Sequence, residues 1–319
     1  MARDPATVGV VIVNYQSWTP LAACLAALGG PGHEALEVVV VDNDSPDDRC
    51  DEFAARFPGI ALLRNPGNPG FAHGCNRGAE RTAAPSLLFL NPDAVMTPAA
   101  ILALAAALAA RPRYGILSPA LAEADGSRAP TAEVFPRAAT ALPGGRKRAL
   151  RAAQARWAAA SDAEVSAADW VPGAALMIGR PLFVELGGWA EEFWLYCEDI
   201  DICWRARAAG FEVGWTPGIV ACHVGGQSSG SSEALAVRAR AAHVRARHLL
   251  YARHLGGTEA VLAHAAEAAK RLLRLAPVAL LDLLTLGQRR GWRLRRRVLG
   301  AVLRYYWRAL AGGGARAPL

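Results

Sequence analysis

From residue 7 the chain alternates short β-branched runs with stretches whose apolar residues recur every three or four positions. Residues 7–13 (TVGVVIV), 37–41 (EVVVV), 60–63 and 86–90 (SLLFL) have the length and branching of strands buried on both faces. Residues 21–28, 48–57, 71–82 and 98–110, which lie between and after them, carry a helical period. This β-α-β-α rhythm predicts a doubly wound, mostly parallel sheet with helices on both faces. Ligands of such sheets bind beyond the carboxyl ends of the strands, so polar residues there are the first candidates for chemistry.

The pattern weakens over residues 120–168, which are rich in Ala, Arg, Pro and Gly, with a basic knot at Arg146, Lys147 and Arg148. An irregular insertion is expected there. Order returns with an apolar run at 170–178, a short helix at 181–186 and a Gly-Gly turn. A helix is then expected over 198–209, stopped by Gly210, followed by strands at 211–215 and 219–223. From residue 233 the chain reads as helical. Two regions follow: an α/β domain over 1–230 that holds the candidate chemistry, and a helical, basic, amphipathic region over 231–319.

At 319 residues the chain has room for one large core and an appendage. Its net charge of +7 is uneven: nine arginines and no acid lie from residue 283 onward, so everything before them carries −2. Basicity is therefore a property of the end alone, and a nucleic-acid partner is not expected. Over 288–310 the arginines interleave with Trp292, Leu294, Val298, Leu299, Tyr305, Tyr306 and Trp307. That pattern suits a helix lying in an anionic membrane interface, with a helix packed on the body as the alternative. The apolar run 270–287 is broken by Arg274, Pro277 and Asp282 and is short for a span. The first fourteen residues lack a basic and then apolar leader, and the six cysteines show no CxxC pairing. A cytoplasmic chain with reduced thiols, peripheral on the inner face of the membrane, is expected.

Five polar features sit at strand ends or in the loops beyond them. Asp42 and Asn43 end the second run, where a carboxylate and an amide can bind a base edge and a ribose or cap a turn. Asn68, Gly70, Phe71 and Asn76 join a glycine turn to a helix start, an arrangement open to an anion. Asp93 follows Asn91 and Pro92 just past the fourth run and offers the hard oxygen that Mg²⁺ or Mn²⁺ prefers. Glu198, Asp199 and Asp201 crowd one helical turn beside Tyr196, Cys197 and Trp204. The helix dipole favours acids at that end, and apolar walls make such acids candidates for general-base work. His223 ends the last strand-like run beside a glycine loop.

Together VVIVNYQS, VVVDNDS, NPGNPGFAHGCNRG, LFLNPDA, VPGAALMIGR, GGWAEEFWLYCEDIDICWRARAAG and HVGGQSS, in that order from residue 8 to 229, resemble glycosyltransferase family 2. The likeness is to its rhamnosyltransferase-like branch, which builds bacterial cell-surface polysaccharides. The resemblance implies a GT-A fold and inverting transfer of a sugar, rhamnose favoured, from a nucleoside diphosphate to a hydroxyl of a glycan or lipid-linked acceptor. It implies that Asn14, Tyr15, Asp42 and Asn43 hold the nucleoside and that Asn68, Gly70, Phe71 and Asn76 close around the donor. Asp93 stands at the family's metal-binding aspartate, His223 at a further metal or diphosphate contact, and Asp199 at the base. Glu198 and Asp201 would orient the acceptor or cap the helix. The sequence departs in one respect: the wider clan often writes the metal motif Asp-x-Asp, and here Asn91 replaces the first acid.

Other classes fit less well. A dinucleotide-binding oxidoreductase needs a glycine-rich turn after the first strand, and Asn14-Tyr15-Gln16-Ser17-Trp18 has none. A sugar nucleotidyltransferase would likewise need a glycine-rich phosphate loop near the N-terminus. A nucleotide-sugar-binding or membrane scaffold with a decayed site would explain the single metal carboxylate but not the acidic trio.

Overall fold

The computed structural model describes residues 7–122, 128–129, 131–160, 164–223, 233–284, 286, 288 and 290–313. It divides into two compact units. The first comprises 1–133, 154–194 and 198–228; the second comprises 134–153, 195–197 and 229–319.

The first unit is built on one sheet. Its chain order begins with β1 (Val8–Asn14), α1 (Trp18–Leu28), β2 (Leu36–Asp42), α2 (Cys50–Arg56), β3 (Ala61–Arg64), α3 (Phe71–Ala79) and β4 (Ser86–Leu90). It continues with β5 (Ala94–Val95), α4 (Pro98–Ala109), β6 (Tyr114–Ala122) and β7 (Arg128–Ala129). After α5 (Ala138–Ala141) and α6 (Gly145–Ala160) come β8 (Ser166–Ala168), β9 (Ala175–Gly179), α7 (Arg180–Glu185), α8 (Glu198–Ala208) and β10 (Glu212–His223). The strand order is β3-β2-β1-β4-β9-β6-β10-β5, with β7 on β6 and β8 on β10.

β1, β2, β3 and β4 run parallel, as expected of their continuous apolar runs: every residue of β1 is buried. β9 is antiparallel to both β4 and β6, and β10 is parallel to β6. The reversal at β9 therefore restores the original direction in β6 and β10. The carboxyl ends of β1, β2, β3, β4 and β10 all reach one edge, together with the start of β9.

Two glycines set how closely α3 lies on that sheet. A Cβ on Gly78 would come within 2.3 Å of Val11 Cγ1, and one on Gly74 within 2.9 Å of Val13 Cγ1. Spaced four apart, they clear one face of the helix so that its first turn abuts the edge where β1 and β2 end.

The structure differs from the sequence expectation at several points. The stretch expected to be irregular holds α6, sixteen residues rich in Ala, Arg and Lys whose helix propensity outweighs the glycines at its start. β6, not anticipated, supplies the centre of the sheet's second half. The two strands expected at 211–215 and 219–223 form the single strand β10, with a register shift between Thr216 and Val220 where Pro217 falls. A bulge tolerates proline because the ladder donor is not needed there.

The second unit is helical: α9 (Glu233–His254), α10 (Gly257–Leu284) and α11 (Arg290–Arg308), with α5. Val244, Val298, Val302 and Tyr305 form its core. Buried Glu267 accepts from Lys270 Nζ at 2.8 Å and Arg271 Nε at 2.6 Å, and buried Asp282 accepts from Arg296 Nε at 2.6 Å. Val298, Val302 and Tyr305 of α11 are used in helix packing, while Leu303 and Trp307 are exposed. Among the described residues no helix is long and apolar enough to cross a membrane. All six cysteines are free, and only Cys222 is exposed.

Candidate functional site

The loops after β1, β2 and β3 are locked by one polar network. Asn14 Nδ2 donates to Asp42 Oδ1 at 2.7 Å, Ser45 Oγ donates to the same oxygen at 2.6 Å, and the Ser45 N–H donates to Asp42 Oδ2 at 2.9 Å. Asn43 Nδ2 donates to the Gly70 carbonyl at 3.0 Å, while Asn65 Nδ2 donates to Asn43 Oδ1 at 2.7 Å. Asn14, Asp42, Asn43 and Asn65 are all buried, so every one of these bonds is made away from water. The loops are also strained. Gln16, Asp44 and Asn68, one after each of the three strands, have φ values of 53°, 63° and 44°. Left-handed backbone at non-glycine residues costs energy and gathers where function fixes the chain. Tyr15 beside Gln16 is half-buried.

The Asn68–Gly70 turn is clamped by Trp194. Its Nε1 donates to the Asn68 carbonyl at 3.0 Å, and the Phe71 N–H donates to its carbonyl at 2.9 Å. Gly70, at φ 119°, would place a Cβ 2.6 Å from that carbonyl oxygen. Phe71 meets Trp189 edge to face at 6.0 Å. Asn76, expected to close on a donor, is committed elsewhere. Its amide donates to the Trp189 carbonyl and to Glu191, and its oxygen accepts from the Trp189 N–H.

Asp93 is 7% exposed, at the end of β4. Burial first and the charge of Asp93 second push the Cys24 thiol up to about 12. β10 pairs antiparallel with β5, setting the backbone of His223 opposite Ala94, the residue after Asp93. The His223 side chain lies outside what is described. Among the described residues no three Asp, Glu, His or Cys side chains converge. One buried carboxylate at a strand end still fits a hard divalent ion, which ordinarily takes one or two carboxylates and completes its shell with phosphate oxygens and water.

The acidic trio of α8 separates into three environments. Asp199 Oδ2 accepts from the Gly173 N–H at 3.1 Å and Oδ1 from the Ile200 N–H at 2.8 Å. The next residue, Ala174, accepts the Asn91 N–H at 2.9 Å. Asp199 therefore leans on the backbone that also holds the Asn91–Asp93 loop. Burial raises its carboxyl above the ordinary range, and the two backbone N–H groups oppose that rise. Asp201 is fully buried and accepts from Arg205 Nε at 2.7 Å, while Arg205 also donates to the Leu186 carbonyl. Asp201 and Arg205 thus form a buried ion pair one helical turn apart. Glu198 is 7% exposed, and its Oε2 has no hydrogen-bond partner. Burial, with Asp199 beside it, pushes its carboxyl well up. Of the two, burial favours the neutral form more strongly at Glu198, while the two N–H donors at Asp199 favour its charged form. Before this turn Tyr196 and Cys197 take φ values of 72° and 68°.

A folded-state carboxyl held above its unfolded value binds more protons than the unfolded chain does. Stability then falls as pH rises from the ordinary carboxylate range through the raised value. Glu198→Gln removes the larger of the two contributions, since Asp199 keeps its own. Thermal melts across pH should show a shallower decline for the variant and a higher melting temperature at neutral pH. An unchanged slope would contradict a protonated Glu198.

Ser45, Asn65, Gly173 and Trp194 belong to this constellation, though nothing in the sequence marked a role for them. Their one signal was proximity to a strand end or a glycine turn.

Residues 9–133 match the model of Glycosyl transferase family 2. An N-acetylglucosaminyl-diphospho-decaprenol L-rhamnosyltransferase of Mycobacterium tuberculosis is 28% identical over 272 residues, 79% of this chain and 87% of that protein. Low-salt glycan biosynthesis hexosyltransferase Agl10 of Haloferax volcanii is 26% identical over 229 residues, 67% and 66% of the two chains. The solved mannosyltransferase PcManGT of Pyrobaculum calidifontis, in complex with GDP-Man and Mn²⁺, shares the fold with a TM-score of 0.56 at 17% identity, over 95% and 88% of the chains. The chain thus has a GT-A fold, carries a match to glycosyltransferase family 2 over residues 9–133, and is similar over most of its length to a rhamnosyltransferase.

Proposed function

We propose that the protein is an inverting, divalent-metal-dependent hexosyltransferase, moving rhamnose or a related sugar from a nucleoside diphosphate to a hydroxyl of a glycan or lipid-linked acceptor. The observation that carries this reading is Asp199, a half-buried carboxylate held by the Gly173 N–H beside the loop that bears Asp93. Tyr15 and the buried network of Asn14, Asp42 and Asn43 shape the nucleoside end. The asparagines and Asp42 are internally bonded, so they act by fixing the loop backbone around the base and ribose. Asn68, Gly70 and Phe71 frame the donor, with Asn76 holding the turn behind them.

Asp93, with His223, would hold Mg²⁺ or Mn²⁺. When bound, the ion offsets the charge that develops on the diphosphate leaving group. Asp199 accepts the proton of the acceptor hydroxyl as its oxygen attacks the anomeric carbon from the face opposite the diphosphate. One displacement inverts the configuration and releases the nucleoside diphosphate. Because Asp199 must be ionised, activity falls as pH drops through its raised value, above the ordinary aspartate range.

Excess chelator should abolish transfer, with recovery on adding Mn²⁺ or Mg²⁺. Asp93→Ala should weaken nucleoside-diphosphate binding measured by calorimetry in the presence of the ion. Full activity in chelator would contradict the metal requirement. The acceptor and the helical unit's basic character further support work at an anionic, cytoplasm-facing membrane surface.

A further inference from the structure

The sequence points to the arginines of α11 as the membrane contact, yet three of them are occupied. Arg296 binds Asp282 at 2.6 Å, and Arg293 and Arg297 lie 3.8 Å and 3.3 Å from Glu233. Among the described residues α11 exposes only Leu303 and Trp307 as large apolar residues, and a longer exposed apolar surface lies on α10. Leu262, Leu273, Leu280 and Leu284 on α10 are between 56% and 75% exposed. Offsets of 11, 18 and 22 residues at 100° per residue bring all four within about 20° of one line along the helix. The stripe is about 33 Å long at 1.5 Å per residue. Ala269 and Pro277 flank that line by about 40° on either side and are also exposed. Glu267 and Asp282, the charged residues that α10 buries, point away from it.

We propose that this leucine stripe of α10 is the face by which the protein docks on an anionic lipid surface. The inference rests on the membrane-side working place proposed above and moves the contact from α11 to α10. Charge decides between a lipid surface and a second copy of the chain. Residues 231–319 hold seventeen basic and four acidic residues, and all four acids are already paired within the helical unit. Two such surfaces repel each other, whereas anionic headgroups attract one. Arg274 borders the stripe next to Leu273, where a long basic side chain keeps its charge at headgroup level while the leucines enter the acyl boundary.

The test is flotation of the full chain with phosphatidylcholine vesicles, with and without phosphatidylglycerol, in the absence of donor and acceptor. The intact protein should float with the anionic vesicles. L273Q/L280Q, which changes no charge, should lower the partition coefficient by about tenfold or more, because each lost leucine forfeits several buried methylenes. R295Q/R304Q should lower it less. Circular dichroism and nucleotide release should be unchanged in L273Q/L280Q. The proposal is overturned if the intact protein ignores anionic vesicles, or if L273Q/L280Q floats as the intact protein does. It is also overturned if that variant's only change is from dimer to monomer in sedimentation. Because no sugar transfer is measured, failure here leaves the transferase reading standing, and an inactive enzyme would still float.

Discussion

Replacing Asp199 with asparagine should lower transfer by about 10²-fold or more while leaving donor affinity nearly intact. The substitution keeps an acceptor oxygen for one of the Gly173 and Ile200 N–H groups and gives up the other bond, so a modest loss of stability at the start of α8 should accompany it. What is lost is the capacity to take a proton from the acceptor hydroxyl. Asp201→Asn makes the informative contrast. It leaves Arg205 without its charge partner in a buried position, so it should cost about 3–5 kcal/mol of stability. Activity per folded molecule should fall far less than in Asp199→Asn. Single-turnover transfer rates, paired with urea unfolding midpoints, separate the two. A normal rate in Asp199→Asn with a dead but folded Asp201→Asn would reverse the assignment of the base.

Gly70→Ala should be the most damaging small substitution in the donor loops. Gly70 lies at φ 119° and ψ 169°, a conformation open to glycine alone. An added methyl would also meet Trp194 at the carbonyl oxygen, Cδ1 and Cα, all within 2.9 Å. Backbone strain and the clash together should cost about 3 kcal/mol or more. Relief requires the turn to leave Trp194, breaking the bonds at Asn68 and Phe71. Nucleoside-diphosphate affinity should fall with stability. Gly67→Ala controls for the backbone alone: its φ is 78°, and a methyl added there would have nothing within 4 Å. It should cost about 1 kcal/mol and leave donor affinity nearly unchanged. Equal effects at the two positions would show that the Trp194 contact does not matter.

These outcomes depend on features that the sequence disclosed unequally. β1, β2 and β4 were legible because strands buried on both faces read as unbroken apolar runs, and Asp42 and Asp93 because each sits just past such a run. The Asp201–Arg205 pair was open to reading from its four-residue spacing on a helix, but three neighbouring acids obscured which one had a partner. Asn76 was beyond reach. It bonds Trp189, 113 residues away, and no local period encodes a contact of that range. Trp194 joins Gly70 across a comparable gap. α6 was lost because its glycines and basic knot read as a loop, while its alanines favour a helix. In the helical unit the Arg-aromatic pattern of α11 fitted both a membrane face and a packed helix. The helix has both sides: Val298, Val302 and Tyr305 are buried in packing, while Leu303 and Trp307 are exposed.

Release of nucleoside diphosphate by the purified protein, from a panel of nucleoside-diphosphate sugars that includes rhamnose, tests the central claim most directly. Slow hydrolysis of one or a few donors is expected, requiring a divalent ion and accelerated by an acceptor hydroxyl, with the acceleration absent in Asp199→Asn. Neither binding nor release across the whole panel, with the ion present and the protein folded, would contradict it.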